Sequence, residues 1–332
     1  MDSEPLVTVT TNGLYCRQGD FHIDPWQPVN TAVITHGHAD HLRSGSARYI
    51  LARPGAGIAR HRLGDDRTLS PVDYGTAMPL GSTTVSLHPA GHILGSSQVR
   101  IEHEGTVWVV SGDYKRQPDP TCAPFEPLEC DVFISEATFA LPVYRWHDTP
   151  EVVEEIFRWW RSNRERGLAS VLFCYALGKA QRVLSELRAF TDEEVYVHGA
   201  VAALMDVYRD AGVPMLNTVA VAADRKKTDY RGALIIAPPS AVATPWMRRF
   251  GEHSTGFCSG WMRVRGDRRR RGYDRGFVIS DHADWPALVG TCKATKARQV
   301  LLTHGHSDAL ARFLREDGVD AKGLETHFGA EE

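Results

Sequence analysis

The densest chemistry in the sequence is the heptapeptide Thr35-His36-Gly37-His38-Ala39-Asp40-His41, which sets three imidazoles and a carboxylate behind the apolar run Ala32 to Ile34. Imidazole and carboxylate together suit borderline-hard divalent ions such as zinc and manganese. Further donors of the same types follow. His92 lies in Gly91-His92-Ile93-Leu94-Gly95, Asp113 closes Val107-Trp108-Val109-Val110-Ser111-Gly112-Asp113, and His304 lies in Leu301-Leu302-Thr303-His304-Gly305-His306. A tetrahedral zinc site rarely takes more than four protein ligands, so these seven donors predict two metals sharing one of them. Each donor stands at or just past the end of an apolar run, where loops leaving a strand collect functional groups. One such histidine alone is more often a satisfied polar residue; seven donors in this pattern call for metal.

The elements that must position them are short. Apolar runs at 31–35, 84–87, 106–110, 131–135, 170–175, 194–197, 232–237, 276–280 and 299–303 read as strands. A helix is expected from Thr149-Pro150-Glu151, with Val152, Val153, Ile156, Phe157 and Trp160 as its apolar face and Gly167 as its stop. Another is expected from about Ala180 to Phe190, after the strand Ser170 to Tyr175 and the turn Ala176-Leu177-Gly178-Lys179. That βα unit could hold a phosphate at its helix N-terminus, helped by Lys179 and Arg182. It is not a Walker A loop, because the upstream glycine and the Ser/Thr after the lysine are missing. The segment from about 140 to 275 contributes no metal donor, which predicts a domain inserted into a metal-binding domain.

Composition fits a catalytic protein with ample core: 332 residues, 42% hydrophobic and 24% charged. No stretch approaches the roughly 20 apolar residues of a membrane span, and Met1-Asp2-Ser3-Glu4-Pro5 lacks the features of a signal peptide, so the expected location is the cytoplasm. The six cysteines contain no Cys-x-x-Cys pair, which argues against a zinc ribbon and a disulfide framework. The net charge of -3 gives no reason to expect a polyanionic partner. Local charge does, because Arg263, Arg265, Arg268, Arg269, Arg270, Arg271 and Arg275 face only Asp267 and Asp274 within thirteen residues. A lone arginine run is usually a solvated loop. This one leads directly into Gly276-Phe277-Val278-Ile279-Ser280-Asp281-His282, another strand ending in histidine, and is expected to track phosphates near the metal centre.

Taken together, the His-x-His-x-Asp-His segment, Asp24 in Phe21-His22-Ile23-Asp24, His92 and Asp113 resemble the metallo-β-lactamase superfamily. Glu136 in Ser135-Glu136-Ala137-Thr138, His282 in Ser280-Asp281-His282-Ala283-Asp284 and His304 in Thr303-His304-Gly305 resemble the three extra motifs of its β-CASP nucleases. Gly13-Leu14-Tyr15-Cys16, Gly178-Lys179-Ala180-Gln181-Arg182 and Ser259-Gly260-Trp261-Met262 are most similar to bacterial ligase-associated DNA exonucleases, a resemblance spanning essentially the whole chain.

The resemblance implies an α/β fold: a metallo-β-lactamase αββα sandwich from 1–140 and 276–332, with an inserted α/β β-CASP domain at 141–275. It implies two divalent ions, zinc or manganese. His36, His38 and His92 would hold one, Asp40, His41 and His304 the other, and Asp113 would bridge them. The implied reaction is attack of a metal-bridging hydroxide on a phosphodiester, with Asp40 part of the catalytic centre. Asp24 would orient a ligand such as His41, His282 would protonate the departing sugar oxygen, and Glu136 would orient His282. Lys179, Arg182 and the seven arginines would contact nucleic acid. The implied substrate is DNA, degraded as by an exonuclease in DNA repair, in association with an ATP-dependent DNA ligase and a helicase. RNA processing is the first alternative, since histidine at position 304 is commoner among RNA-processing members. Small-substrate hydrolysis is a more distant one, which the insert, the arginines and His282 argue against. Trp261, Trp285, Tyr175 and Trp246 could stack bases, although core is the commoner fate of tryptophan.

Overall fold

The computed structural model describes residues 4–65, 67–222, 230–264 and 272–326. The chain divides into two compact units, one formed by Met1–Tyr144 with His282–Glu331 and the other by Arg145–Asp281. The first has two sheets and the second one, each unit has its own core, and the whole is a mixed α/β protein.

In the first unit, one sheet runs in the order Thr8–Thr10, Gly13–Cys16, Phe21–Ile23, Thr31–Val33, Arg48–Ala52 and Leu69–Val72. The other runs Asp320–Gly323, Gln299–Thr303, Val132–Glu136, Thr106–Val110, Ser97–His103, Thr83–Pro89 and Met78–Leu80. Successive side chains on a strand point to opposite faces, and that alternation builds the layers. Leu14, Ile23, Val33 and Ile50 from the first sheet pack with Val85, Val99, Ile101, Val110 and Ile134 from the second to form the central core. Their neighbours Val109, Phe133, Val300 and Leu302 face outward against the helices Trp285–Ala294 and Ser307–Glu316. On the far side, Ala32, Ile34, Tyr49 and Leu51 pack against Ala59 and Leu63 of the helix Ala56–Leu63. Two sheets are thus enclosed by helices on both outer faces.

The second unit is a parallel sheet in the order Thr218–Ala220, Val195–Val197, Leu234–Ala237, Ala169–Phe173, His253–Cys258 and Arg275–Phe277. Parallel strands need crossovers, and Lys179–Glu186 and Gly199–Asp210 supply them while covering one face. The helix expected from Thr149 runs Thr149–Glu165 and buries Val152, Val153, Ile156 and Trp160. Its N-cap is Asp148, and Thr149 is its first residue. Residues 276–281, expected in the first unit, fall in the second because Arg275–Phe277 hydrogen-bonds to His253–Cys258 as the sheet's edge strand.

Every expected strand position overlaps an observed strand. Several strands had no sequence signal: Thr8–Thr10, Phe21–Ile23 and Thr218–Ala220 have three residues each, too few for a period to register.

Candidate metal centre

Sheet direction brings the donors together. Thr106–Val110, Val132–Glu136 and Gln299–Thr303 are mutually parallel, and Thr83–Pro89 runs the same way because Ser97–His103 lies antiparallel between it and Thr106–Val110. Their C-terminal ends therefore share one edge, from which the chain leads to His92, Asp113, Glu136 and His304. In the first sheet the parallel strands Phe21–Ile23 and Thr31–Val33 lead likewise to Asp24 and to His36–His41. The two sets of loops are tied by Ser97, whose backbone N–H and hydroxyl both donate to the Thr35 carbonyl at 2.7 and 3.1 Å. Gly112, just before Asp113, has φ +57, and a Cβ there would lie 2.6 Å from Thr35 Cβ, so only glycine lets the loops meet this closely.

One donor atom each from His36, His38, His92 and Asp113 lies within 4.8 Å of the others, and the same holds for Asp40, His41 and His304. Asp113 Oδ2 stands between these groups, 3.4 Å from His36 Nε2, 3.8 Å from His92 Nε2 and 3.5 Å from His41 Nε2. His38 Nδ1 and His92 Nε2 approach to 3.0 Å. Metal bonds of about 2.0 to 2.1 Å in tetrahedral array would space neighbouring ligand atoms by roughly 3.3 Å, so these separations fit a shared cation. His36 Nε2 and Asp113 Oδ1 are buried and have no hydrogen-bond partner among the described residues, as ligand atoms awaiting an ion would.

Hydrogen bonds behind the rings settle which nitrogen carries the proton. Asp24 accepts from the Thr35 N–H at 2.7 Å, from the Thr35 hydroxyl at 2.5 Å and from His41 Nδ1 at 2.7 Å. A carboxylate only accepts, so the proton sits on His41 Nδ1 and the Nε2 lone pair faces the cluster. The Thr35 hydroxyl has spent its single proton on Asp24, so His36 Nδ1, 3.0 Å away, must donate to it. Thr303 repeats the device: its hydroxyl donates to the Ser135 carbonyl at 3.3 Å and accepts from His304 Nδ1 at 2.8 Å. His36 and His304 thus turn bare Nε2 atoms toward the cluster, and at His41 the Nδ1 proton is committed to Asp24, so Nε2 is the atom left for a metal. Sequence reading missed both threonines. Their signal was present, since the tetrapeptide Thr-His-Gly-His occurs at 35–38 and again at 303–306.

Electrostatics agree with a centre built around a cation. Burial, reinforced by the neighbouring imidazoles, holds His36 well below the ordinary histidine range, and burial with the charge of His41 brings His304 down to about 3. Burial pushes Asp113 up to about 8, with His41 opposing. His41 is the exception: burial disfavours its cation, yet Asp113, Asp40 and Asp24 raise it well above the ordinary range. The carboxylates thus favour positive charge at His41, which an imidazolium supplies and a metal ion would replace.

A third group joins Asp113, Glu136 and His282. Glu136 accepts from the Tyr114 N–H at 2.7 Å, the Thr138 hydroxyl at 2.6 Å and His282 Nδ1 at 2.8 Å. Burial alone would raise Glu136, but His282 and these donors hold it below the ordinary carboxylate range. The His282 ring lies 4.8 Å from that of His92.

The expected nucleic-acid contacts divide. Arg263 and Arg275 are exposed in the second unit, whereas Arg265, Arg268, Arg269, Arg270 and Arg271 lie outside the described residues. Lys179 and Arg182 are placed differently from the expectation, being 0% and 1% exposed. They face Asp281, Ser280 and Thr149 within their own unit, and a cation so enclosed cannot track a phosphate backbone on the surface. Of the aromatic residues, Trp285 is core, and Trp246 and Trp261 pack against the second unit's core.

No family model matches the chain. It is 31% identical over 316 residues, 94% of its length, to a probable DNA ligase of Opitutus terrae, of which it spans 30%. It is 25% identical over 226 residues to a ribonuclease of Thermus thermophilus, covering 60% of this chain and 49% of that protein. Identity to an endoribonuclease of Yarrowia lipolytica is 26% over 192 residues, 47% of this chain and 23% of the other. The chain therefore spans half or less of the curated relatives it matches. Among solved structures, a protein of unknown function from Enterococcus faecalis aligns with a TM-score of 0.55 at 11% identity, covering 82% of this chain and 74% of that one, a likeness of fold.

Proposed function

We propose that this chain is a metal-dependent nuclease of the metallo-β-lactamase superfamily and its β-CASP group, hydrolysing DNA as an exonuclease in repair. The observation that carries the reading is Asp113, whose Oδ2 lies between the group of His36, His38 and His92 and the group of His41, Asp40 and His304. A carboxylate between two sets of imidazoles is the ligand type suited to span two cations. Bound there, two zinc or manganese ions would supply an activated water nucleophile and neutralise charge on the phosphate. The chain's own residues do the rest. Asp24, Thr35 and Thr303 hold the imidazoles in the ligating tautomer. As the water oxygen bonds to phosphorus and the phosphorus–oxygen bond to the departing sugar breaks, His282 gives that sugar oxygen its proton, with Glu136 holding the opposite ring nitrogen.

DNA is favoured by the relative matched over nearly the whole chain, named a probable DNA ligase, of which this chain spans only part. Such a likeness fits a nuclease acting beside a DNA ligase; action with a helicase and in the cytoplasm belongs to the same proposal and rests on the sequence resemblance. Among the described residues no helix is long and apolar enough to cross a membrane. RNA is the second reading, supported by the relatives named ribonuclease and endoribonuclease.

The test is incubation with zinc or manganese on single- and double-stranded DNA and RNA labelled at either end, alongside Asp40→Ala. The wild type is expected to hold about two ions per chain and to shorten DNA from an end, with Asp40→Ala losing one ion and most activity. Cleavage of RNA but not DNA would hand the assignment to the second reading. Full activity in Asp40→Ala would remove the two-metal centre.

A further inference from the structure

We propose that Lys179 and Arg182 are positioning residues that set the backbone ahead of His282, rather than contacts to a substrate phosphate; the inference rests on the role given to His282 above. Both side chains are buried, at 0% and 1% exposure, in the helix Lys179–Glu186 that follows the strand Ala169–Phe173. Arg182 donates from Nη1 to the Ser280 carbonyl at 2.9 Å and from Nη2 to the Thr149 hydroxyl. The same Nη1 lies 3.8 Å from Asp281 Oδ1, and Lys179 Nζ lies 3.7 Å from Asp281 Oδ2 and 5.0 Å from the centre of the Tyr175 ring. Gln181 locks the turn beneath them, its amide oxygen accepting from the Gly178 N–H at 2.8 Å and its amide nitrogen donating to the Ala176 carbonyl at 2.9 Å.

Taking two cations and a carboxylate out of water is expensive, and hydrophobic residues of similar volume often serve stability as well or better. What the charged set supplies and an apolar one cannot is direction. The Arg182 guanidinium hydrogen-bonds the Ser280 carbonyl, while its charge and that of Lys179 attract the carboxylate of the next residue, Asp281, so consecutive residues at 280–281 are held by one buried cationic pair. His282 is the next residue in the chain. Its Nδ1 is committed to Glu136, so the reach of its other nitrogen depends on where its own backbone begins.

The experiment compares wild type, Lys179→Met, Lys179→Arg, Asp281→Asn and His282→Ala, each in the full chain, for metal content, thermal unfolding and steady-state kinetics on two substrates. One is an unactivated dinucleotide, whose leaving sugar oxygen needs a proton. The other is a p-nitrophenyl ester of a thymidine phosphate, whose leaving group departs without one. Lys179→Met and Asp281→Asn are expected to lower kcat on the dinucleotide by roughly 100-fold, the cost of a displaced catalytic group. KM and metal content stay as in wild type, the loss on the p-nitrophenyl ester is much smaller, and Lys179→Arg recovers most of the rate. Asp281→Asn preserves volume and carries the test if Lys179→Met does not fold. Equal losses on both substrates, loss of metal, or a raised KM with unchanged kcat would overturn the inference. A leaving-group preference in His282→Ala that is absent from Lys179→Met and Asp281→Asn would overturn it alone. Wild type that cleaves neither substrate would take down the nuclease reading with it.

Discussion

Asp24→Asn tests the hydrogen-bond logic of the centre without changing its shape. Asp24 is 2% exposed and accepts three hydrogen bonds, from the Thr35 N–H, the Thr35 hydroxyl and His41 Nδ1. In the asparagine variant the amide oxygen can still serve the Thr35 N–H. The amide nitrogen then stands where Oδ2 was and brings two donors toward the Thr35 hydroxyl and His41. The hydroxyl can reverse its role, but His41 Nδ1 can accept only by giving up its proton. That proton moves to Nε2 and covers the lone pair a metal needs. Loss of such an orienting partner typically costs about 10- to 100-fold in metal affinity, or roughly 1.4 to 2.7 kcal/mol. The loss should be largest at the group holding His41, Asp40 and His304, and smaller at the group holding His36, His38 and His92, because the reversed Thr35 hydroxyl has a second lone pair with which to keep accepting from His36 Nδ1. The metal-free protein should also be destabilised by about 1.5 to 3 kcal/mol, the worth of the one charged hydrogen bond that cannot be remade. Calorimetric titration of metal-free protein with zinc, beside urea unfolding, reads both quantities. Unchanged affinity with unchanged stability would refute the tautomer argument, and equal weakening at both groups would refute its localisation to His41.

Two further outcomes follow from particular contacts. Gly112→Ala, at φ +57 with its new Cβ 2.6 Å from Thr35 Cβ, should cost more stability than Gly105→Ala, at φ +78 with nothing within 4 Å. The second pays only the left-handed penalty of about 1 to 2 kcal/mol, and equal losses in urea unfolding would show that the Thr35 contact carries no strain. The hydrogen bond from Arg164 holds Glu193 below the ordinary carboxylate range in the second unit. A lowered folded-state value means stability that is present above the unfolded value, about 4.3, and is lost as pH falls through the folded one. Both groups are about a third exposed, so screening limits the pair to roughly 0.5 to 1 kcal/mol. Glu193→Gln should therefore be less stable than wild type at pH 7 and match it once the wild-type carboxylate is protonated. A difference that persists in acid would assign the effect to packing.

Much of the fold was legible because burial imposes a period. Val107–Val110 and Leu301–Leu302 lie in strands, and Val152, Val153, Ile156 and Trp160 line a helix, because the residues that make the pattern are the ones in the core. Arg48–Ala52 and His253–Cys258 were not read as strands. The first begins with an exposed arginine, and the second opens on partly exposed polar residues and carries Gly256, whose added Cβ would meet the Phe277 ring at 2.9 Å. Lys179 and Arg182 mislead for a related reason. A basic pair at the start of a helix looks like an anion site until the acid that encloses it is known, and Asp281 is far away in sequence.

The sequence by itself determined which donors this chain possesses. Ligand chemistry belongs to residue type, and the spacing of His36, His38, Asp40 and His41 within one loop requires no knowledge of distant contacts. Only the tertiary structure decided how the donors group around Asp113, which imidazole nitrogens carry protons, and which charges face solvent. Parallel strand direction carries four separate loops to one sheet edge, a hydroxyl has one proton to give, and a cation's exposure depends on what the rest of the chain packs around it.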